Sequence, residues 1–359
     1  MSQPSKKISV ALLFGGQSSE HEVSLMSAGS IIENLDKEKY ELHMVGITKE
    51  GRWLLFTGDP AQLPGGAWEK GDVTPAALSP DPSIHGLVVL GPPARTIHID
   101  CVFPALHGKN GEDGTLQGLL ALSGIPYVGC NTEASAICMD KAVTHTLLSA
   151  ANIEQAHYLW FYSDRFACAP ETIKNKICAR LNFPVFVKPA NAGSSVGVSR
   201  VDGPQGLDEA IRKAAHEDVK IIVEEGVTGQ EVECAVLGNR QDAQASLVGE
   251  IGASAAFYDY DDKYVNGTSQ LYIPARIPQE AAEEIRETAV RAYRLLGCSG
   301  LARVDFFVTP EQKVVLNELN TLPGFTSISM YPKLWMAMGL TYGELLDKLI
   351  QLAFKQAGC

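Results

Sequence analysis

The sequence predicts an α/β (α+β) fold that opens as a doubly wound, parallel-sheet unit and continues into antiparallel strands. Three stretches predict it. Ile8 to Phe14 is a continuous apolar run, as a parallel strand covered on both faces requires. Gly15-Gly16-Gln17-Ser18-Ser19 carries it into a helical pattern through Val23, Ser27, Ile31 and Leu35. Glu231 to Leu237 alternates polar and apolar residues, the period of an antiparallel strand. Leu301 to Thr326 reads as two strands of β-branched and aromatic residues joined at Pro310-Glu311-Gln312-Lys313.

A chain of 359 residues has room for about two or three domains, and 45% apolar content is that of an ordinary globular protein. A formal charge of −12 argues against non-specific nucleic-acid binding, which needs a basic footprint. No apolar run is long enough to span a bilayer and no secretory pattern opens the chain, so a cytoplasmic location is expected. The eight cysteines lack metal-ligand spacing and read as reduced, packed thiols.

In chain order, Glu20 stands at the mouth of the first Gly-rich turn, placed to meet an ammonium group. Taken alone, it serves equally as a favourable charge in the helix's first turn. The turn lacks GxGxxG spacing, which rejects a dinucleotide site. Tyr40 to Ile47 reads as a strand, residues 57 to 95 as a surface excursion rich in Pro, Gly and Asp, and Thr96 to Leu106 as one strand ending at His107. The glycines of His107 to Gly114 imply a backbone that turns tightly or approaches a ligand closely. Ser135 to Ala150 reads as one helix containing Asp140-Lys141. Phe183 to Val187 is a strand delivering Lys188, a point cation for phosphate. Asn191 to Gly197 resembles a phosphate-covering loop in which Ser194 and Ser195 donate, without the Gly-Lys-Ser/Thr ending of a P-loop. Val219 to Val223 leads to Glu224 and Glu225, carboxylates suited to an adenine edge and ribose hydroxyls.

Closing the last hairpin at Pro310–Lys313 sets Thr309 opposite Val314, Asp305 opposite Glu318 and Arg303 opposite Asn320. Side chains two apart share a face, so these four make one polar square. Two opposed carboxylates repel, and a hard cation such as magnesium joins them while leaving room for substrate phosphates. Arg303 adds an always-charged fork for phosphate or carboxylate. A magnesium–phosphate site is expected here. The helical spacing of Ile285, Ala289, Ala292 and Leu296, and the capping box from Thr341 to Glu344, mark helices that support it.

Taken together, LFGGQSSEHEVSL, FPALHGKNGEDGTLQG, VGCNTEASAICMDK, KPANAGSSVGV, YDYDDKY, ARVDFF and NELNTLPGFTSISMYP resemble the D-alanine–D-alanine ligase family of the ATP-grasp superfamily. The resemblance covers nearly the whole chain, least over residues 57 to 95. It implies an N-terminal domain over residues 1–127, a central ATP-grasp domain over 128–226, and a C-terminal domain over 227–359 with a lid at 257–274 and a metal hairpin at 301–326. ATP would lie between the sheets of the last two. Lys141 and Lys188 would hold its phosphates under the Ser194–Ser195 loop, and Lys263 would reach the γ-phosphate from the lid. Glu224, Glu225, Glu231 and the backbone near Val227 would hold adenine and ribose. Asp305, Glu318 and Asn320 would bind a pair of magnesium (or manganese) ions, with Asn317 also facing the nucleotide. Glu20 would bind the ammonium of a first D-alanine with His107 beside it, Arg303 and the Gly324 amide would stabilise an oxyanion, and Ser329 would hold the second carboxylate. Tyr264, Ser194 and Glu20 would form a hydrogen-bonded trio. The implied product is D-alanyl-D-alanine for peptidoglycan, made through a D-alanyl phosphate by a homodimer with no nucleic-acid or membrane partner.

Members of the family that make D-alanyl-D-lactate carry His where this chain has Tyr264, and those that make D-alanyl-D-serine carry Arg where it has Met330. Apolar Met330 suits a methyl group and penalises an unpaired hydroxyl, so D-alanine is expected as acceptor. D-serine or D-lactate transfer is the alternative within the family, and a non-catalytic nucleotide-binding protein the alternative from another class.

Overall fold

The computed structural model describes residues 6–252 and 270–358; the expected lid residues Lys263 and Tyr264 lie outside them. The first sheet contains β1 (Ile8–Gly15), β2 (Tyr40–Ile47), β3 (Trp53–Phe56), β4 (Val73–Leu78), β5 (Gly86–Val89), β6 (Arg95–His98) and β7 (Cys101–Pro104), in the order β6-β5-β4-β3-β2-β1-β7. The apolar run makes β1 central, buried from Val10 to Phe14 and parallel to both β2 and β7. The other pairings are antiparallel.

Two expectations are corrected here. Residues 57–95 are not an excursion: β4, β5 and the start of β6 extend the sheet. Trp68 anchors them, fully buried and edge-on to Phe14 with ring centroids 5.1 Å apart. Gly46 makes room for it, since a Cβ there would lie 2.2 Å from the indole. Strands this short, cut by Pro and Gly, carry too little periodicity to read locally, and the tertiary contact decides. Thr96–Leu106 is likewise two strands at opposite edges, with Asp100 between them accepting the Ser9 amide at 2.8 Å.

The second sheet, antiparallel throughout, contains β8 (Tyr158–Tyr162), β9 (Val185–Pro189), β10 (Ser199–Val201) and β11 (Lys220–Glu225), in the order β10-β9-β11-β8. The third contains β12 (Gln230–Leu237), β13 (Gln244–Gly252), β14 (Gln270–Tyr272), β15 (Leu301–Val308) and β16 (Val314–Asn320), in the order β14-β13-β12-β15-β16. Its register repeats the predicted polar square but not the predicted turn. Val308, not Thr309, pairs with Val314; an extra residue near Asn317 then shifts the register and restores Asp305 opposite Glu318 and Arg303 opposite Asn320. Such a bulge re-aims side chains beside a site, and here it brings Asn317 and Glu318 to the same cavity.

The stretch read as one helix is two, Thr132–Met139 and Lys141–Ala150. Asp140 breaks it with extended backbone (φ −82°, ψ 96°), and its carboxylate accepts the Ala142 and Val143 amides at 3.1 Å each. Capping by a short acidic side chain thereby sets Lys141 at the start of a helix. Cys130, Ala134 and Cys138 join the core of the third sheet, whereas Tyr331, Leu334 and the helix Tyr342–Ala357 pack with β1 and the helix His21–Asn34. Core membership therefore interleaves along the chain, drawing the sheets around one cleft.

Candidate active site

A cavity of about 250 Å³ opens between the second and third sheets. It is lined by Lys141, Lys188, Ser194, Ser195, Glu224, Glu225, Val227, Glu231, Asn317 and Glu318, every expected nucleotide contact among the described residues. Strand periodicity explains the convergence: Lys188 pairs with Ile222 on β11, so Lys188 and Glu224, two residues further along, share a face. Lys188 Nζ lies 2.7 Å from Glu224 Oε2, and His145 Nε2 lies 3.1 Å from Oε1. Burial disfavours the Glu224 charge, yet Lys188 and His145 outweigh it and hold the carboxyl well below the usual range. Burial likewise opposes the Lys188 charge, and Glu224 more than restores it. Glu225 is anchored at the cavity wall, where Oε1 accepts the Asn182 amide at 2.7 Å. Lys141 Nζ donates to the Ala192 carbonyl at 2.8 Å and lies 3.7 Å from Glu318, linking the Gly/Ser loop to the hairpin.

In that loop Ser194 and Ser195 hold left-handed backbone, φ 48° and 58°. Non-glycine residues there store about 1–3 kcal/mol each, a cost that clusters at ligand clamps. Ser194 Oγ donates to Glu20 Oε1 at 2.5 Å. A Cβ at Gly108 or Gly193 would come 2.4 Å or 2.7 Å from Glu20 Oε2, so the glycines read as a close-approach signal make room for this carboxylate. A smaller cavity of about 40 Å³ adjoins, lined by Glu20, His107, Ser194, Arg303, Asn320 and Gly324 among others. His107 Nδ1 lies 2.9 Å from the Leu322 carbonyl and therefore donates to it. Burial lowers the pKa of the ring, which is thus neutral, with Nε2 3.0 Å from the Ser27 hydroxyl.

Ser329 and Met330 line neither cavity. Ser329 Oγ lies 2.8 Å from Thr326 Oγ1, and Met330 is buried beneath Gly249, where a Cβ would come 2.5 Å from its sulfur. Met330 thus packs against the third sheet, outside the walls of both cavities.

Three functional candidates escaped sequence reading: Glu233, Glu112 and His145. Glu233 on β12 pairs with Asp305, which pairs with Glu318, so three carboxylates form a row across three strands. Its signal was the alternation after Glu231, unusable until β12 was known to neighbour β15. Arg303 grips the row: its fork meets Asp305 with two 2.7 Å bonds, and Nε lies 3.0 Å from Glu233 Oε2. Asn320 Nδ2 donates to Asp305 at 3.0 Å. Arg303 also lines the smaller cavity, so its guanidinium borders that space while Nε and Nη2 hold carboxylates. The set fits magnesium by donor chemistry, since Asp305, Glu318 and Asn320 offer hard oxygens. Among the described residues no group of three or more His, Cys, Asp or Glu is disposed to hold a metal ion.

Glu112 accepts the Gly108 amide at 3.1 Å. Burial, followed by the Glu20 charge, pushes its pKa up to about 8 from the usual 4.5. Between those values the folded protein keeps a proton that the unfolded chain has released, so this group's stabilisation is lost as pH rises from 4.5 to 8. Nucleotide-free Glu112→Gln is therefore expected to lose less thermal stability than the parent over that interval; parallel melting-temperature profiles would refute the assignment.

Two antiparallel sheets closing on a cavity, with paired lysines from one side, a Gly/Ser loop above and a carboxylate hairpin below, define an ATP-grasp protein. Family models described as "D-ala D-ala ligase N-terminus" and "D-ala D-ala ligase C-terminus" match residues 9–130 and 147–351. A D-alanine--D-alanine ligase of Caldicellulosiruptor bescii is 50% identical, covering 98% of this chain and 96% of the relative. One from Acetivibrio thermocellus is 48% identical, covering 97% and 96%. Among solved structures, a D-Ala:D-Ser ligase from Enterococcus faecalis superposes with a TM-score of 0.88 at 44% identity, covering 97% of this chain and 100% of that one. The D-alanine-D-alanine ligase from Coxiella burnetii gives 0.87 at 36% identity, covering 99% and 96%. The chain belongs to the D-alanine–D-alanine ligase family. That membership implies ATP, D-alanine and a divalent metal ion. No helix among the described residues is long and apolar enough to cross a membrane.

Proposed function

We propose that this protein joins two D-alanines into D-alanyl-D-alanine for peptidoglycan, converting ATP to ADP and phosphate, in the cytoplasm and as a homodimer. The observation that carries this reading is the convergence of Lys141, Lys188, Ser194, Ser195, Glu224, Glu231 and Glu318 on one cavity, adjoined by the Glu20–His107 cavity. ATP lies between domains 128–226 and 227–359, with adenine at Glu224 and Val227, ribose at Glu231 and phosphates at Lys141 and Lys188. Glu20 holds the ammonium of the first D-alanine, and the neutral ring of His107 fixes the wall beside it without competing for its carboxylate. That carboxylate attacks the γ-phosphorus, ADP leaves, and D-alanyl phosphate forms. The amine of the second D-alanine then attacks the acyl carbon, and phosphate leaves as the amide forms and the amine gives up a proton. The Gly324 amide and Arg303 face the developing oxyanion, and Ser329 lies toward the second carboxylate. Asp305, Glu318 and Asn320 would hold two magnesium ions, which neutralise charge on the transferring phosphate. Positioning and charge dominate such transfer, which is why the site is lysines, amides and carboxylates, with no covalent nucleophile.

Phosphate release with D-alanine, D-serine or D-lactate as acceptor tests this directly at neutral pH. D-alanine is expected to exceed the others, because apolar Met330, next to Ser329 in the chain, brings no polar group to the acceptor side to pair a serine hydroxyl. A D-serine preference would overturn the acceptor assignment, and ATP binding without turnover on any D-amino acid would favour a nucleotide sensor.

A further inference from the structure

We propose that His145 is a positioning residue for the nucleobase: as an imidazolium donating from both ring nitrogens, it keeps Glu224 aimed into the cavity and sets the preference for adenine. This rests on the assignment of the cavity to ATP.

The hydrogen bonds around His145 leave its ring one satisfied state. Gln155 Nε2 donates to the His145 carbonyl at 2.8 Å and to Ser149 Oγ at 2.6 Å, which fixes the amide with Oε1 toward the ring. Oε1 lies 2.5 Å from Nδ1 and can only accept, so Nδ1 carries a proton. On the other side Nε2 lies 3.1 Å from Glu224 Oε1, an oxygen of a carboxylate already paired with Lys188. An ionised carboxylate only accepts, so Nε2 carries a proton too. The ring is buried, 3% exposed, and stacks on Tyr158 with centroids 4.7 Å apart and planes at 29°, where the aromatic face favours a cation.

Two cations on one carboxylate have a purpose when one must leave. Lys188 is the group placed to turn toward phosphate, and its departure frees Glu224 Oε2 inside the cavity. His145 then keeps the remaining carboxylate charged and oriented. An exposed carboxylate oxygen accepts from the exocyclic amine of adenine and repels the carbonyl oxygen that guanine presents at the same position. The arrangement is tied to the hairpin as well: the Leu316 amide donates to the Glu154 carbonyl at 2.9 Å and Gln155 bridges to Leu316, two residues before Glu318.

The test compares His145→Leu, Gln155→Met and His145→Lys in the full-length enzyme. His145→Leu is expected to raise the KM for ATP about tenfold, leave kcat and both D-alanine KM values within about twofold, and cut the ATP-over-GTP preference about tenfold. Gln155→Met moves the same ratios less, and His145→Lys, which keeps a charged donor, recovers part of them. A lower melting temperature with an unchanged ATP-over-GTP ratio would make His145 merely structural and overturn the inference. Should His145→Leu fail to fold, Gln155→Met decides alone by the same ratio. Lys188→Met separates the two levels: if it leaves the ATP KM unmoved, the cavity assignment has failed, whereas an effect there with none at residues 145 and 155 defeats only the role of His145.

Discussion

Glu318→Gln is expected to lower turnover by about 10³-fold while leaving the fold intact. Glu318 ends the carboxylate row and is its most open member, 31% exposed against 14% for Asp305 and 9% for Glu233. Asp305 is already gripped by the Arg303 fork and the Asn320 amide, so Glu318 is the carboxylate best placed to share a cation with substrate phosphates. Glutamine keeps the shape and removes the charge. It also relieves repulsion from Asp305 directly opposite, so nucleotide-free stability should hold or rise slightly. Turnover measured across a magnesium titration reads both parts. The parent saturates at lower magnesium than the variant, and extra magnesium recovers some of the loss. Retention of about a tenth of parental turnover at low magnesium would remove Glu318 from the metal site.

The polar square at Arg303, Asp305, Glu318 and Asn320 was legible because period-two alternation and one turn fix a hairpin's pairing nearly alone. Even there two local errors cancelled: the turn lay one residue away from its predicted place, and the register shift near Asn317 corrected the count. Glu20, Lys188 and Ser194 were legible as types, a charge or hydroxyl where a strand or Gly-rich turn ends, but their convergence was not. Glu20 and Ser194 are 174 residues apart and meet only because three sheets fold onto one cleft. Glu233 stayed hidden because a single strand does not name its neighbours, and His145 because its face of the helix Lys141–Ala150 matters only once β11 lies beneath it. The edge strands between residues 73 and 98 were missed for the opposite reason. Their local sequence is weak, and distant burial of Trp68 holds them in place.

Arg303→Met is expected to destabilise the nucleotide-free protein by about 3–5 kcal/mol, the cost of removing one partner from a buried ion cluster. The side chains of Arg303, Asp305 and Glu233 are 15%, 14% and 9% exposed, so water replaces little of the lost guanidinium. What remains is a row of carboxylates on adjacent strands, with Lys141 3.7 Å from Glu318 as the cation at its far end. Arg303→Lys should recover only part of the loss, because a point charge cannot make both 2.7 Å bonds of the fork. The sign of the pH effect separates this cause from lost packing. Acid protonates the orphaned carboxylates and removes the uncompensated charge, so the deficit of Arg303→Met should shrink as pH falls toward about 4, whereas a packing defect would not change. Adding Asp305→Asn to Arg303→Met should return stability for the same reason, although activity stays lost. Chemical denaturation of the three variants at two pH values decides it; a deficit within about 1 kcal/mol that is flat in pH would show that the row does not depend on Arg303.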